Sequence, residues 1–212
     1  TLLAESPAAG PVCRVNQQSE KALSLELELP FLHEIAAYED GEAYQVLSIP
    51  GGDYRGKGSE AALPVMTRLV ALPPGADVQV RLVDSQEKEL TGYRLLPQAY
   101  LDGDGEAAKG SVSESSLEAR VPEVTVGEPA LIRGQRVVPI TFAPIGYDPA
   151  SGEVRVAQRM TVEVTFSGRN DKNSAAVAET YIPESFDDLY RHMIVNYDRG
   201  TAQVGPGSYL LI

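Results

Sequence analysis

The chain has 212 residues, of which 43% are hydrophobic and 23% are charged. That is the composition of a globular protein, and it argues against extended disorder. The net charge of -12, from 18 basic and 30 acidic residues, argues against binding nucleic acid, because a basic surface should dominate such a protein.

The N-terminal segment carries little pattern. Residues 1–19 are expected to form a loose lead-in, since Ala, Ser, Pro and Gly dominate the first part of this segment. Cys13 is the only cysteine, so it cannot form an internal disulfide and is interpreted as a structural or incidental thiol. No apolar run is long enough to span a membrane. Thr1 is not an initiator methionine, and we expect a secreted or cell-surface protein whose signal peptide lies outside the given sequence.

Five segments have the pattern of a β-strand. In residues 23–29 leucines alternate with serine and glutamate, which predicts a strand although leucine and glutamate both favour helices. Residues 44–49, 62–72, 78–82 and 91–96 carry similar β-branched or alternating patterns. Prolines bracket the segment 62–72, which is therefore expected to lie at or near a sheet edge.

The clearest β-structure lies in the middle of the chain. Residues 154–166 alternate apolar and polar side chains almost without a break, and residues 137–142 form a second β-branched and aromatic run. Residues 147–152 supply turn chemistry, so the two runs are predicted to form one antiparallel hairpin. A single hairpin cannot bury its own apolar face. We therefore predict an all-β antiparallel β-sandwich, jelly-roll or immunoglobulin-like, over residues 20–168.

The segment 98–120 differs from the rest of the predicted sandwich. It is rich in Asp, Gly, Ser and Glu, and a loop of this length inside a compact domain is usually functional or disordered. Residues 102–106, Asp-Gly-Asp-Gly-Glu, superficially resemble a calcium loop. They lack the full ligand pattern and the flanking helices of such a loop, so no metal site is predicted.

One helix is predicted near the C-terminus. Residues 169–200 are expected to be a linker and a helix, whose apolar face carries Phe186, Leu189, Tyr190 and Met193. Residues 201–212 are expected to be a linker and the first strand of a truncated downstream catalytic domain, because the chain ends on its most hydrophobic run.

The sequence lacks a recognisable catalytic motif. His33 and His192 are the only histidines, and neither forms a motif with Cys13. No GxSxG, HExxH or CxxC motif occurs. We therefore predict that this chain is not catalytic by itself and needs no cofactor.

Three stretches, in order, resemble the N-terminal prodomain of gingipain-type cysteine peptidases, the C25 propeptide family. The first is 63–72, Leu-Pro-Val-Met-Thr-Arg-Leu-Val-Ala-Leu. The second is 137–149, which ends in Phe-Ala-Pro-Ile-Gly-Tyr-Asp-Pro and runs on through Met-Thr-Val-Glu-Val at 160–164. The third is 184–197, Glu-Ser-Phe-Asp-Asp-Leu-Tyr-Arg-His-Met-Ile-Val-Asn-Tyr. The resemblance covers most of the chain between the lead-in and the C-terminal linker.

The resemblance implies a function for the whole chain. It would be a β-sandwich prodomain that keeps a secreted cysteine endopeptidase latent and assists its folding until it is cleaved off. Its partner would be the peptidase catalytic domain of the same precursor, and no nucleic acid or membrane span would be involved. The catalytic His and Cys of the enzyme would lie beyond the given sequence.

The resemblance also implies an inhibitory loop that enters the active-site cleft and offers one side chain to the primary specificity pocket. In the family this loop follows the strand that here ends at Pro97, which places it in residues 98–120. Lys109 is the first candidate if the peptidase prefers basic side chains. Asp104 is the second, for an acid-preferring pocket, and Arg120 is the third.

A processing site is implied as well. Arg199, followed by Gly200, matches the region in which gingipains are processed. The surrounding composition predicts an exposed linker there, and a peptidase specific for basic residues could cut after Arg199.

Two alternatives remain open from the sequence. The chain could be a stand-alone β-sandwich adhesion or carbohydrate-binding module, although the absence of tryptophan and an aromatic content of 7% argue against sugar stacking. It could also be a calcium-dependent module built on residues 102–106.

Overall fold

The computed structural model describes residues 10–103, 120–172 and 181–207. Within these ranges the chain forms the strands β1 (Val12–Gln18), β2 (Ala22–Glu28), β3 (His33–Glu39), β4 (Glu42–Ser48), β5 (Asp53–Arg55), β6 (Leu63–Ala71), β7 (Asp77–Leu90), β8 (Glu123–Val126), β9 (Ala130–Ile132), β10 (Gln135–Ala143), β11 (Ile145–Asp148), β12 (Glu153–Ser167), β13 (Tyr181–Pro183) and β14 (Gln203–Gly205). The helices are α1 (Gln98–Leu101) and α2 (Glu184–Met193).

Two five-stranded sheets form the sandwich. In the first, β12 is the central strand, with β7 along one edge and both β2 and β11 along the other; β1 lies outside β2. In the second, β10 is central, with β6 on one side and β8 and β9 on the other; β5 lies outside β6. All these pairs are antiparallel, so the predicted fold class is confirmed.

The core lies between the two sheets. The leucines of β2 and the apolar residues of β12 point inward from the first sheet, as their alternation predicts. They pack in one cluster with residues of the second sheet, among them Met66, Ile140 and Phe142, each of which is at most 1% exposed. The burial of both inward faces is what holds the sheets together.

The predicted central hairpin is wrong. Strands β10 and β12 lie in different sheets, and the hairpin partner of β12 is the short strand β11. The chain crosses between the sheets at Pro144, which cannot donate a ladder hydrogen bond and instead accepts one at its carbonyl oxygen from the Ala157 N–H (2.8 Å). The turn itself lies where it was expected. The Asp148 carboxylate accepts hydrogen bonds from the Ala150 N–H and the Ser151 hydroxyl, and Gly152, at the end of the turn, has a positive φ of 67°.

Two segment boundaries also differ from expectation. Strand β1 lies within the segment expected as a loose lead-in, because it pairs along β2 from Val12 to Gln18. The segments 78–82 and 91–96 are not two strands: β7 runs unbroken for 14 residues to Leu90. Its second half lacks alternation in the sequence and is held by pairing along β12.

The C-terminal part of the described chain adds a third layer. In β6 and β10, Val70 and Val138 face the main core, whereas Leu69 and Val137 point to the opposite face. On that outer face they pack with α2, β13 and β14 in a second cluster. Strands β13 and β14 pair in parallel, so residues 203–205, expected to be linker, are fastened to the rest of the domain.

Helix α2 buries only part of its predicted apolar face, since Phe186 and Tyr190 pack in the second cluster. Tyr190 is fully buried, but Leu189 and Met193 are 42% and 38% exposed. Asp187 takes a buried place instead, because its carboxylate accepts a hydrogen bond from the Tyr197 hydroxyl (2.9 Å). Burial and this hydrogen bond raise the pKa of Tyr197 above its usual value.

Candidate functional site

The first stem of the candidate inhibitory loop is anchored in the sandwich. It follows β7 and includes α1, which begins directly after Pro97. The Leu96 N–H donates to the carbonyl oxygen of Gln45 in β4 (3.0 Å), and the Gln98 N–H donates to the carbonyl oxygen of Glu60 (2.8 Å). These bonds fix where the loop leaves the domain.

The second stem returns at Arg120. Its backbone N–H and carbonyl oxygen each bond to Tyr147 of β11 at 2.9 Å. A Cβ at Gly146 would lie 2.7 Å from the Arg120 carbonyl oxygen, so this close approach requires glycine at position 146. The Arg120 guanidinium forms an ion pair with the Glu60 carboxylate (Nη2 to Oε2, 2.9 Å).

Glu60 therefore ties both stems to one point. Its carbonyl oxygen holds Gln98, and its carboxylate holds Arg120. The structure thus brings residues 98 and 120 together and gives the loop a narrow, fixed base. Lys109 and Asp104 lie outside the described residues, so their roles stay predictions, whereas Arg120 is a half-buried member of the base.

The β3–β4 hairpin lies beside this base. Its two-residue turn, Asp40-Gly41, has φ values of 51° and 86°, as a type I′ turn requires. The Tyr100 hydroxyl donates to the Asp40 carboxylate (2.5 Å), and this hydrogen bond is the main reason that the pKa of Tyr100 rises to about 12. The Arg94 guanidinium stacks over the Tyr44 ring at 4.7 Å.

Two further side chains fasten the hairpin to the chain that leads into the loop. The Tyr93 hydroxyl donates to the Glu34 carboxylate (3.0 Å), and Arg94 pairs with Glu42 (2.6 Å). The pKa of Tyr93 is raised to about 12, mainly by partial burial and secondarily by the hydrogen bond to Glu34. The hairpin and the first stem therefore form one connected surface.

The candidate processing site lies in a closed turn after α2. The Gly200 N–H donates to the Asp198 carboxylate (2.8 Å), and the Ala202 N–H donates to the Arg199 carbonyl oxygen (3.2 Å). Gly200 has a φ of 57°, and both Arg199 and Gly200 are exposed. Directly after this turn the chain is held by β14 and by a hydrogen bond from the Tyr181 hydroxyl to the Pro206 carbonyl oxygen (2.6 Å).

The titratable residues considered for catalysis lie on three different elements of the fold. Cys13 is in β1, His33 in β3 and His192 in α2. Burial raises the pKa of the Cys13 thiol to about 11, which disfavours the nucleophilic thiolate. Among the described residues, no three His, Cys, Asp or Glu side chains are grouped as a metal site requires. Within the same ranges, no helix is long and apolar enough to cross a membrane.

A β-sandwich that fixes both ends of a long segment, here 98–120, is an architecture that binding and regulatory domains use. Comparison with family models narrows this class, since Propeptide_C25 matches residues 8–204. The chain belongs to the C25 propeptide family, as its three ordered stretches predicted. It is the non-catalytic propeptide of a C25 cysteine peptidase precursor.

The curated relatives include gingipains of Porphyromonas gingivalis. Gingipain R1 is 23% identical over 154 residues, which cover 65% of this chain and 14% of that protein. Lys-gingipain is 23% identical over 197 residues, which cover 81% of this chain and 11% of that protein. The chain therefore spans a small part of the length of these relatives.

Two solved structures share the fold. One is described as a complex of the Porphyromonas gingivalis RgpB pro- and mature domains; it has a TM-score of 0.69 and 18% identity, covering 88% of this chain and 98% of that chain. The other concerns the zymogenic latency of gingipain K from the same organism, with a TM-score of 0.58, 21% identity, and coverage of 78% and 96%.

Sequence reasoning missed the β3–β4 hairpin as a companion of the loop. The only local signal was the Asp-Gly pair at its turn, which favours a tight hairpin when strands flank it. The contacts that place it beside the loop join side chains 52 to 60 residues apart in the sequence. No local pattern encodes such contacts.

Proposed function

We propose that this chain keeps the cysteine peptidase of its own precursor latent and assists its folding, and that the segment 98–120 occupies the active-site cleft until processing. The observation that carries the proposal is the double anchoring of the loop at Glu60. A loop whose two ends are fixed has less conformational entropy to lose when it binds, so a weakly complementary segment can still bind tightly. Family membership and the likeness to a zymogen structure support the same partner.

The test is inhibition in trans. The chain is added to its mature cognate peptidase, and hydrolysis of a small peptide substrate is followed as the chain concentration rises. We expect competitive inhibition below micromolar concentration, because a loop in the cleft excludes substrate. Full activity at micromolar chain would contradict the proposal. Heat-unfolded chain, which has lost the anchored stems, is the matched control.

Lys109 remains the preferred pocket residue. Arg120 already forms an ion pair with Glu60 and is bonded through its backbone to β11, so moving it into a pocket would dismantle the second stem. Lys109 and Asp104 therefore stay the two leading candidates. The choice between them depends on whether the peptidase prefers basic or acidic side chains.

We also propose that processing occurs between Arg199 and Gly200. In a precursor that carries this chain, Arg199→Gln should slow the appearance of the mature enzyme by about 10-fold or more if the peptidase prefers basic residues. Gel analysis and N-terminal sequencing of the product measure this. Arg169→Gln, at an arginine whose side chain is 82% exposed, is the matched control and should process normally.

An unchanged rate in Arg199→Gln, with the same new N-terminus, would place the cut elsewhere. The pairing of β13 with β14 implies a second step, because residues just after the cut stay bonded to the prodomain. Separation of the two parts then requires this strand pair to open.

A secreted or cell-surface location is proposed with this function. The relatives in the family are gingipains. The net charge of -12 also favours solubility and weak non-specific binding, as a location outside the cell requires. Fractionation of the producing cell, with antibody against this chain, tests the location.

A further inference from the structure

The β3–β4 hairpin exposes apolar side chains without a covering element among the described residues. Ile35 is 54% exposed and Tyr38 is 71% exposed. In the ranges described, β3 pairs only with β4, so its outer edge is open. Natural proteins usually cover or charge such an edge, because it invites association.

The exposed apolar residues continue around the base of the loop. Leu101, at the end of the first described stem, is 40% exposed, and Val121, at the start of the second, is 55% exposed. We call Ile35, Tyr38, Leu101 and Val121 the loop collar. The bonds of Tyr100 to Asp40 and of Arg120 to Glu60 hold its parts at the same end of the sandwich.

The charged residues of the hairpin itself have one sign, and the two arginines at the collar, Arg94 and Arg120, are each paired with a carboxylate. Residues 33–48 contain three glutamates and one aspartate but no lysine or arginine. Three of these four carboxylates accept hydrogen bonds from Tyr93, Arg94 and Tyr100, which fix their positions. A complementary surface would therefore be apolar at its centre and basic at its rim.

We propose that the loop collar docks on the catalytic domain of the cognate peptidase, against an apolar surface with basic side chains beside the cleft. This inference rests on the proposed function, since the loop that the collar surrounds is the one placed in that cleft. The collar then contributes binding that does not depend on the pocket residue. It also orients the loop before the loop enters.

The test separates the collar from the loop. The peptidase is first blocked with a covalent peptidyl inhibitor that fills the cleft, and binding of the intact chain is measured by surface plasmon resonance. We expect the chain to bind the blocked enzyme, and the double variant Ile35→Ser/Tyr38→Ser to bind about 30-fold more weakly, as loss of interface hot spots implies. Raising the salt concentration should weaken the binding of the unaltered chain.

Val83→Ser/Leu189→Ser is the matched control, because these residues are 52% and 42% exposed and lie on β7 and α2. It should bind within about twofold of the unaltered chain, since surface changes outside a contact have little effect. Circular dichroism and melting temperature check that both double variants are folded.

Three results would overturn the inference. One is no binding of the unaltered chain to the blocked enzyme while the free enzyme is still inhibited, which leaves the proposed function intact. A second is equal binding by the collar variant. The third is self-association of the chain that is lost in the collar variant without any binding to the blocked enzyme, because the surface would then join two copies.

Discussion

Replacing Lys109 by alanine should weaken inhibition of a basic-specific cognate peptidase by about 100-fold or more, because a buried carboxylate in the pocket would lose its partner. The inhibition constant in trans measures this, with the folded state checked by melting temperature. The anchored stems would be unaffected, so the loss would report on the pocket contact itself.

The other two candidates supply the internal comparison. Asp104→Ala should leave inhibition nearly unchanged for a basic-specific enzyme and should have the largest effect for an acid-preferring one. Arg120→Ala removes a pair whose side chains are 39% and 35% exposed, so we expect a loss of less than about fivefold. Inhibition unchanged in all three variants would show that none of these side chains fills the pocket.

The sequence predicted those strands whose two faces differ. In β2 the leucines are buried and the intervening polar residues are not, and the same holds along most of β12. It failed for β3, where five of the seven residues are exposed and no alternation of apolar and polar side chains arises. Ala36 and Ala37 also have low β-propensity. The strand exists because β4 supplies a partner across a tight turn.

The central hairpin failed for a different reason. Strands β10 and β12 are close in sequence and both are apolar. That pattern fits two neighbouring strands of one sheet as well as it fits two strands in facing sheets. Pro144 decides between them, because it ends β10 and the chain crosses to the opposite sheet there. A proline between two strands indicates a break but does not specify which sheet follows.

The sequence singled out the segment 98–120 by its polar composition, but it could not show how the two ends of that segment are anchored. The anchor at Glu60 and the contacts of the hairpin depend on tertiary packing, and an isolated glutamate in a glycine-dotted segment carries no signal of that role.

Arg136 is the side chain whose loss should destabilise the domain most among its charged residues. It is 3% exposed, and its guanidinium donates four hydrogen bonds to carbonyl oxygens. Two acceptors, Pro73 and Ala76, lie in the turn before β7 (3.1 and 2.8 Å). The other two, Asn170 and Lys172, lie after β12 (2.9 and 3.2 Å).

Arg136→Met should lower the free energy of unfolding by about 3 kcal/mol or more, because the carbonyl oxygens lose charged donors in a buried place. Urea unfolding measures this, and the melting temperature should fall by roughly 6–12 °C. Arg81→Met is the matched control: the Arg81 side chain is 71% exposed and pairs with Glu163 at the surface. It should cost less than about 1 kcal/mol.

The same variant separates stability from inhibition. Two acceptors of Arg136 lie just before β7 and two lie just after β12, whose last residue pairs with the first residue of β7. The first loop stem follows the opposite end of β7, 14 residues along an extended strand. At a temperature where Arg136→Met remains folded, its inhibition constant should therefore stay within about twofold of the unaltered chain. A parallel loss of inhibition would mean that the segment after β12 contributes to the binding surface. If Arg136→Met lowers the free energy of unfolding by less than about 1 kcal/mol, water must replace the guanidinium as the donor to the four carbonyl oxygens.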